Sequence, residues 1–89
     1  SLSGVIQGAL VLATLLVQLD ERFGAELEDG STFVPVVLSR QELADLVATS
    51  FETAIRAMTK WEREQVVGTT PNGFTILNRV ELRRVSGCD

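Results

Sequence analysis

The sequence predicts a small α+β domain. Three observations predict it. Apolar residues recur at helical spacing at 4–22 and again, as two shorter helices, within 39–64. The run "FVPVV" (33–37) is β-branched and apolar. Two β-rich runs flank a Pro-Asn-Gly turn at 65–78. At 89 residues one domain is expected, with a core that is workable without disulfides or metals.

The leading segment 4–22 reads as a helix. Its apolar set (Val5, Ile6, Ala9, Leu10, Leu12, Ala13, Leu16, Val17, Leu19) covers more than one face, wider than the stripe of an ordinary surface helix. Two readings follow: a central core helix, or one that also packs on a second domain or subunit. The Val5–Val17 run is shorter than the roughly 18–20 residues of a membrane span. No basic start or small-residue cleavage site marks a signal peptide. The chain begins Ser-Leu-Ser without methionine and reads as a segment of a longer protein.

"FGAELEDGST" (23–32) reads as a loop punctuated by Gly24 and Gly30. The strand at 33–37 is expected at a sheet edge, because Pro35 cannot donate to a ladder. "SRQE" (39–42) matches a capping box, with Ser39 as N-cap and Glu42 reaching back. The helix it opens is expected to bury Leu43, Leu46 and Val47. "TSFE" (49–52) opens a second helix capped by Ser50 or Thr49 and running to about residue 64. Ala54, Ala57, Met58 and Trp61 fall at core spacing on it. A hairpin follows, its tip near Thr70–Gly73, and "RVELRRV" (79–85) is a short closing helix or a frayed tail.

The whole is a winged helix-turn-helix: a three-helix core, a short edge strand and a β-hairpin wing. Its parts are the leading helix 4–22, the helix-turn-helix 39–64 and the wing 65–78. Ala44 stands where the two helices of the motif approach, and "ATS" (48–50) supplies a small, polar turn.

Composition narrows the function. There is no histidine and a single cysteine, Cys88, so neither an imidazole base nor a cysteine zinc cluster is available. Cys88 reads as an inert tail thiol. Without a Gly-rich phosphate loop or a nucleophile beside a base, an enzyme is not expected. The net charge is −4. Residues 1–30 hold five acids (Asp20, Glu21, Glu26, Glu28, Asp29) against Arg22, whereas 31–89 hold seven acids and seven bases. The acidity is therefore segregated from the helix pair.

The stretch "LSRQELADLVATSFETAIRAMTKWERE" (38–64) resembles the helix-turn-helix of the Crp/Fnr family of transcriptional regulators. That family shows [S/T]-R-x-[E/D]-[I/L]-[A/G]-x-x-[V/L]-G, a turn, then E-T-[V/I]-x-R. "SRQELADLVA" (39–48) and "ETAIR" (52–56) match it closely. "ERFG" (21–24), the leading helix and the hairpin match more loosely.

The resemblance implies a sequence-specific DNA-binding domain whose recognition helix, 51–63, enters the major groove of a palindromic operator. Phe51, Glu52 and Arg56 would contact bases. Arginine bonds guanine O6 and N7 bidentately and glutamate accepts from cytosine N4, in support of the last two. Ser39, Arg40, Ser50, Thr53, Thr70 and Asn72 would contact phosphates, four of them at helix N-termini that favour anions. The implied partners are double-stranded DNA, a second copy of the full-length protein and RNA polymerase, in the cytoplasm and without a membrane. No cofactor is expected within 1–89. A small effector, a cyclic nucleotide being one candidate, would bind a sensor domain outside this stretch.

The chain departs from the family in places. Phe51 stands where many members carry arginine. A phenyl ring cannot bond guanine but can touch a thymine methyl, so the half-site is expected to be TTGA-like rather than GTGA-like. Ala48 replaces the turn glycine, and Ala54 and Ala57 are smaller than the usual residues while Trp61 is larger.

Plainer readings stand beside these. Glu52 and Arg56 lie at i, i+4 and can simply pair on a solvated face, for about 0.3–0.5 kcal/mol. Phe51 can plug the core. Lys60, Arg63, Arg79, Arg83 and Arg84 read as solvated charges. The alternative function is a winged helix for protein–protein contact, without DNA binding.

Overall fold

The computed structural model describes residues 2–87, with side chains from residue 7. Cys88 lies outside the described residues, as do the side chains of Val5 and Ile6. The elements are α1 (Leu2–Phe23), β1 (Ala25–Glu26), β2 (Thr32–Val34), α2 (Arg40–Leu46), α3 (Phe51–Arg63), β3 (Val67–Thr70), β4 (Gly73–Ile76) and α4 (Arg79–Ser86). No helix among the described residues is long and apolar enough to cross a membrane.

α1 is a core helix. Leu12, Ala13, Leu16 and Val17 are buried, and the helix packs on α3, α4 and β2. Leu10 and Val11 remain exposed on its other side. From α2 and α3 the core receives Leu43, Ala44, Ala54, Ala57, Met58 and Trp61, and from the sheet and α4 Val34, Phe74, Ile76 and Leu82. The alanines are small enough to let the helices approach closely, and Trp61 is buried in the same cluster.

The sheet is antiparallel, in the order β1-β2-β4-β3. This corrects the expected edge strand. β2 is interior, because the segment read as a loop folds back as β1, with Ala25 opposite Phe33. A tight turn makes the reversal. Gly30 takes φ 87°, and Asp29 Oδ1 accepts from both the backbone N–H and the hydroxyl of Ser31. Pro35 falls just after β2, where no ladder needs its missing donor.

The wing pairs Val67–Thr70 with Gly73–Ile76 across a two-residue turn. Gly73 is required there by a close approach: a Cβ would lie 2.1 Å from the carbonyl oxygen of Val34. The closing segment is an ordered helix. Asn78 Oδ1 caps it by accepting from Glu81 N, and Gly87 ends it with φ 79°.

One core expectation on α2 fails. Leu46 is 61% exposed, whereas Leu43 and Ala44 are buried. The inward side of this seven-residue helix runs through buried Leu43 and Ala44 to the half-buried C-cap Val47, which turns Leu46 outward.

Candidate nucleic-acid interface

Local chemistry sets the helix pair. Ser39 Oγ accepts from Glu42 N at 3.0 Å, and Glu42 Oε1 accepts from Ser39 N at 2.9 Å, completing the capping box. The Ser39 backbone N–H, and after it the Ser39 side chain, hold the Glu42 carboxyl below the usual glutamate range. Ser50, rather than Thr49, caps α3: its Oγ accepts from Thr53 N at 3.1 Å and donates to Thr53 Oγ1 at 2.8 Å.

The turn between the helices is built on a left-handed residue. Ala48 has φ 54°. Its N–H donates to Asp45 O, and Thr49 N donates to Ala44 O at 2.9 Å, the bond pattern of a Schellman C-cap. The far end of α3 repeats the device. Gln65 has φ 58°, with Gln65 N to Glu62 O and Val66 N to Trp61 O. Both positions favour glycine, and neither holds one.

α1 braces the turn from behind. A Cβ on Gly8 would lie 2.5 Å from Thr49 Oγ1, so the leading helix sits directly against the start of α3.

The outer face of α3 carries the three expected base-contact residues together. Phe51 is 46% exposed, outside the core. Glu52 and Arg56 project into solvent one turn apart, Arg56 Nη2 donating to Glu52 Oε1 at 2.6 Å. Thr59, Lys60 and Arg63 are also exposed on this helix.

The expected phosphate contacts are less uniform. Ser39, Ser50 and Thr53 sit at helix starts, their oxygens occupied by the caps. Asn72 is exposed at the wing tip, whereas Thr70 donates its hydroxyl to Gly73 O within the hairpin. Arg40 is half-buried and already engaged, donating to Glu62 on α3 and Thr69 on β3. Glu62 and Thr69 carried no local signal, because their bonds to Arg40 span 22 and 29 residues.

Arg79 is not a free solvated charge. Its Nε and Nη2 donate to the two oxygens of Asp20 at 2.8 and 3.0 Å, and Nη2 also reaches Thr32 Oγ1. The bonds to Asp20 raise the Arg79 pKa. Arg83 pairs with Glu21, and Arg84 with Glu81.

Two capped helices joined by a left-handed turn, a charged outer face on the second and a hairpin after it make up a winged helix-turn-helix, the form of a DNA-binding domain. Over residues 12–85 the chain matches the Crp-like helix-turn-helix domain, and it belongs to that family.

Two relatives are similar. The chain is 34% identical over 67 residues to the transcriptional activatory protein AadR of Rhodopseudomonas palustris, covering 75% of this chain and 28% of AadR. It is 36% identical over 72 residues to the nitrogen fixation regulation protein FixK of Bradyrhizobium diazoefficiens, covering 79% and 30%. The chain thus spans less than a third of the length of these curated relatives. Among solved structures, CprK complexed with OCPA superposes with a TM-score of 0.83 over 89% of this chain and 38% of CprK. At 19% identity that match shows a shared fold.

Proposed function

We propose that residues 1–89 are the sequence-reading end of a longer Crp/Fnr-like transcription regulator. α3 enters the major groove, with Phe51, Glu52 and Arg56 at base edges. Ser39, Ser50 and Thr53 contact phosphates through their helix starts, and Asn72, with Thr70 beside it, does so from the wing. The observation that carries this reading is the Glu52–Arg56 pair. It is solvent-facing, pre-formed at 2.6 Å, and stands on the second helix of a capped helix-turn-helix. Free in solution the pair orients Arg56, and in the groove its two halves separate to a guanine and a cytosine.

The full-length protein is proposed to work as a cytoplasmic homodimer on a palindrome, with half-sites about 34–36 Å apart. A small effector acts on its sensor domain, and RNA polymerase is its downstream partner. The relative CprK, crystallised with OCPA, supports a small molecule as the effector class.

Binding-site selection across a salt series tests the reading, using the full-length protein with the 89-residue chain in parallel. A palindrome with TTGA-like half-sites is expected, its affinity falling steeply with salt by about 0.9 log units per log unit of salt for each phosphate contacted. Recovery of GTGA would remove the role given to Phe51. Salt-independent binding together with an inert Arg56→Ala variant would leave the protein–protein reading in its place.

A further inference from the structure

The family resemblance makes Arg40, at the start of α2, a hand for phosphate. Its geometry gives it a different task. Arg40 Nη2 donates to Glu62 Oε2 at 3.3 Å and to Thr69 Oγ1 at 3.0 Å. The Thr69 hydroxyl in turn donates to the same Glu62 oxygen at 2.7 Å. The three side chains close a ring, one each from α2, the last turn of α3 and the first strand of the wing. The Arg40 and Glu62 side chains are only 25% and 35% exposed, against more than 70% for Glu52 and Arg56.

We propose that Arg40 serves DNA recognition as a positioning residue. Through Glu62 and Thr69 it locks the wing to the recognition helix, so that wing tip and reading face meet the duplex as one rigid surface. The proposal rests on the DNA-binding reading above. The connection from α3 to β3 is a Schellman turn with Gln65 in the left-handed region, and the ring braces the same junction from its side. Turning Arg40 Nη2 to a phosphate would break both of its bonds. It would also leave the Glu62 carboxylate without its cation, with only the Thr69 hydroxyl bonded to it, on a helix facing a polyanion, where like charge repels. Held in the ring, Arg40 neutralises that carboxylate, and the wing is ordered before binding.

The two roles predict opposite results for Glu62. If Arg40 holds phosphate, removing the Glu62 acid leaves DNA affinity unchanged or tightens it. If Arg40 positions the wing, Glu62→Ala weakens binding although it deletes a negative charge.

The test measures affinity of the full-length protein for the selected duplex over a salt series, for Arg40→Ala, Glu62→Ala, Thr69→Val and the double Arg40→Ala/Glu62→Ala. Circular dichroism melts check folding, and hydroxyl-radical footprints read the backbone under the wing. Arg40→Ala and Glu62→Ala should each weaken binding about three- to tenfold, the double no more than the worse single, as expected for residues acting as one unit. Thr69→Val, which changes no charge and leaves a β-branched strand residue, should weaken binding about two- to threefold and fade the footprint under the wing. The slope against salt and the selected half-site should stay as in the wild type. A slope reduced by about 0.9 in Arg40→Ala, with Glu62→Ala as tight as wild type or tighter, would overturn the positioning role. So would a wing footprint that none of the variants changes. A wild-type protein without salt-dependent binding would instead overturn the DNA-binding reading itself.

Discussion

Glu52–Arg56 and Asp20–Arg79 are the same chemical pair in opposite settings. On α3, both side chains are more than 70% exposed, and one nitrogen meets one oxygen. Between α1 and α4, the Asp20 side chain is 2% exposed and takes two bonds from Arg79, which Thr32 on β2 also engages. Water competes for the first pair and is shut out of half of the second. The exposed pair therefore adds little to stability and stays free to trade partners, whereas the buried one is committed to joining α1, α4 and the sheet. The distance between charges does not separate an available pair from a structural clamp; desolvation of the carboxylate does.

The comparison can be broken most forcefully at the clamp. Arg79→Ala strands a buried carboxylate and should cost about 3 kcal/mol, the low end for a broken buried pair because Arg79 is itself half exposed. In a domain of this size that corresponds to a thermal midpoint lower by about 15 °C. Asp20→Ala, which leaves the exposed partner free to find water, should cost less, about 1–2 kcal/mol. Equal losses, measured by denaturant unfolding, would contradict the asymmetry.

The exposed pair, in its proposed role at base edges, should behave in the reverse way. Arg56→Ala is expected to change stability by no more than about 0.5 kcal/mol. It should also remove roughly 1–3 kcal/mol of discrimination at the base it reads, measured by competition between half-site variants.

Smaller effects lie at the helix ends that hold the outer face of α3. Ala48→Gly and Gln65→Gly should each stabilise the fold by about 0.5–1 kcal/mol, since both residues occupy left-handed backbone that glycine adopts without strain. A chemical melt of each variant decides it.

The smallest effect concerns acid. The folded pKa of Glu42 is depressed, so its contribution is present above the unfolded value of about 4.3 and is lost as pH falls through the lower folded value. Glu42→Gln keeps an acceptor for Ser39 N and removes the titration. Its thermal midpoint should fall less steeply than that of the wild type as the pH is lowered below about 4.3.

Legibility followed the range of the interaction. The capping box of Ser39 and Glu42, the cap of α3 and the stripe Ala54, Ala57, Met58, Trp61 all depend on residues within one or two turns of each other, and a linear reading finds such patterns. The Glu52–Arg56 pair is of the same kind. Arg79 was misread because its partner lies 59 residues away, at the end of a helix whose apolar run gives no hint that an acid there is buried. β2 was placed at the edge because the partner that covers it, β1, is two residues long and sits in a stretch of loop composition. Leu46 was misassigned because a seven-residue helix is too short for its periodicity to fix which side faces inward.

By itself the sequence determined the α+β class, the helix-turn-helix with its caps, the hairpin wing and the charged residues on the second helix of that motif. These follow from backbone sterics, side-chain-to-backbone bonds and apolar period, all of which act along the chain. Only the tertiary structure decided which charges are committed. It buried Asp20 beneath Arg79, drew Arg40 to Glu62 and Thr69, and left Glu52 and Arg56 in water. Whether a charge is spent or available depends on what excludes solvent around it, and in this fold the excluding surfaces come from segments distant in sequence.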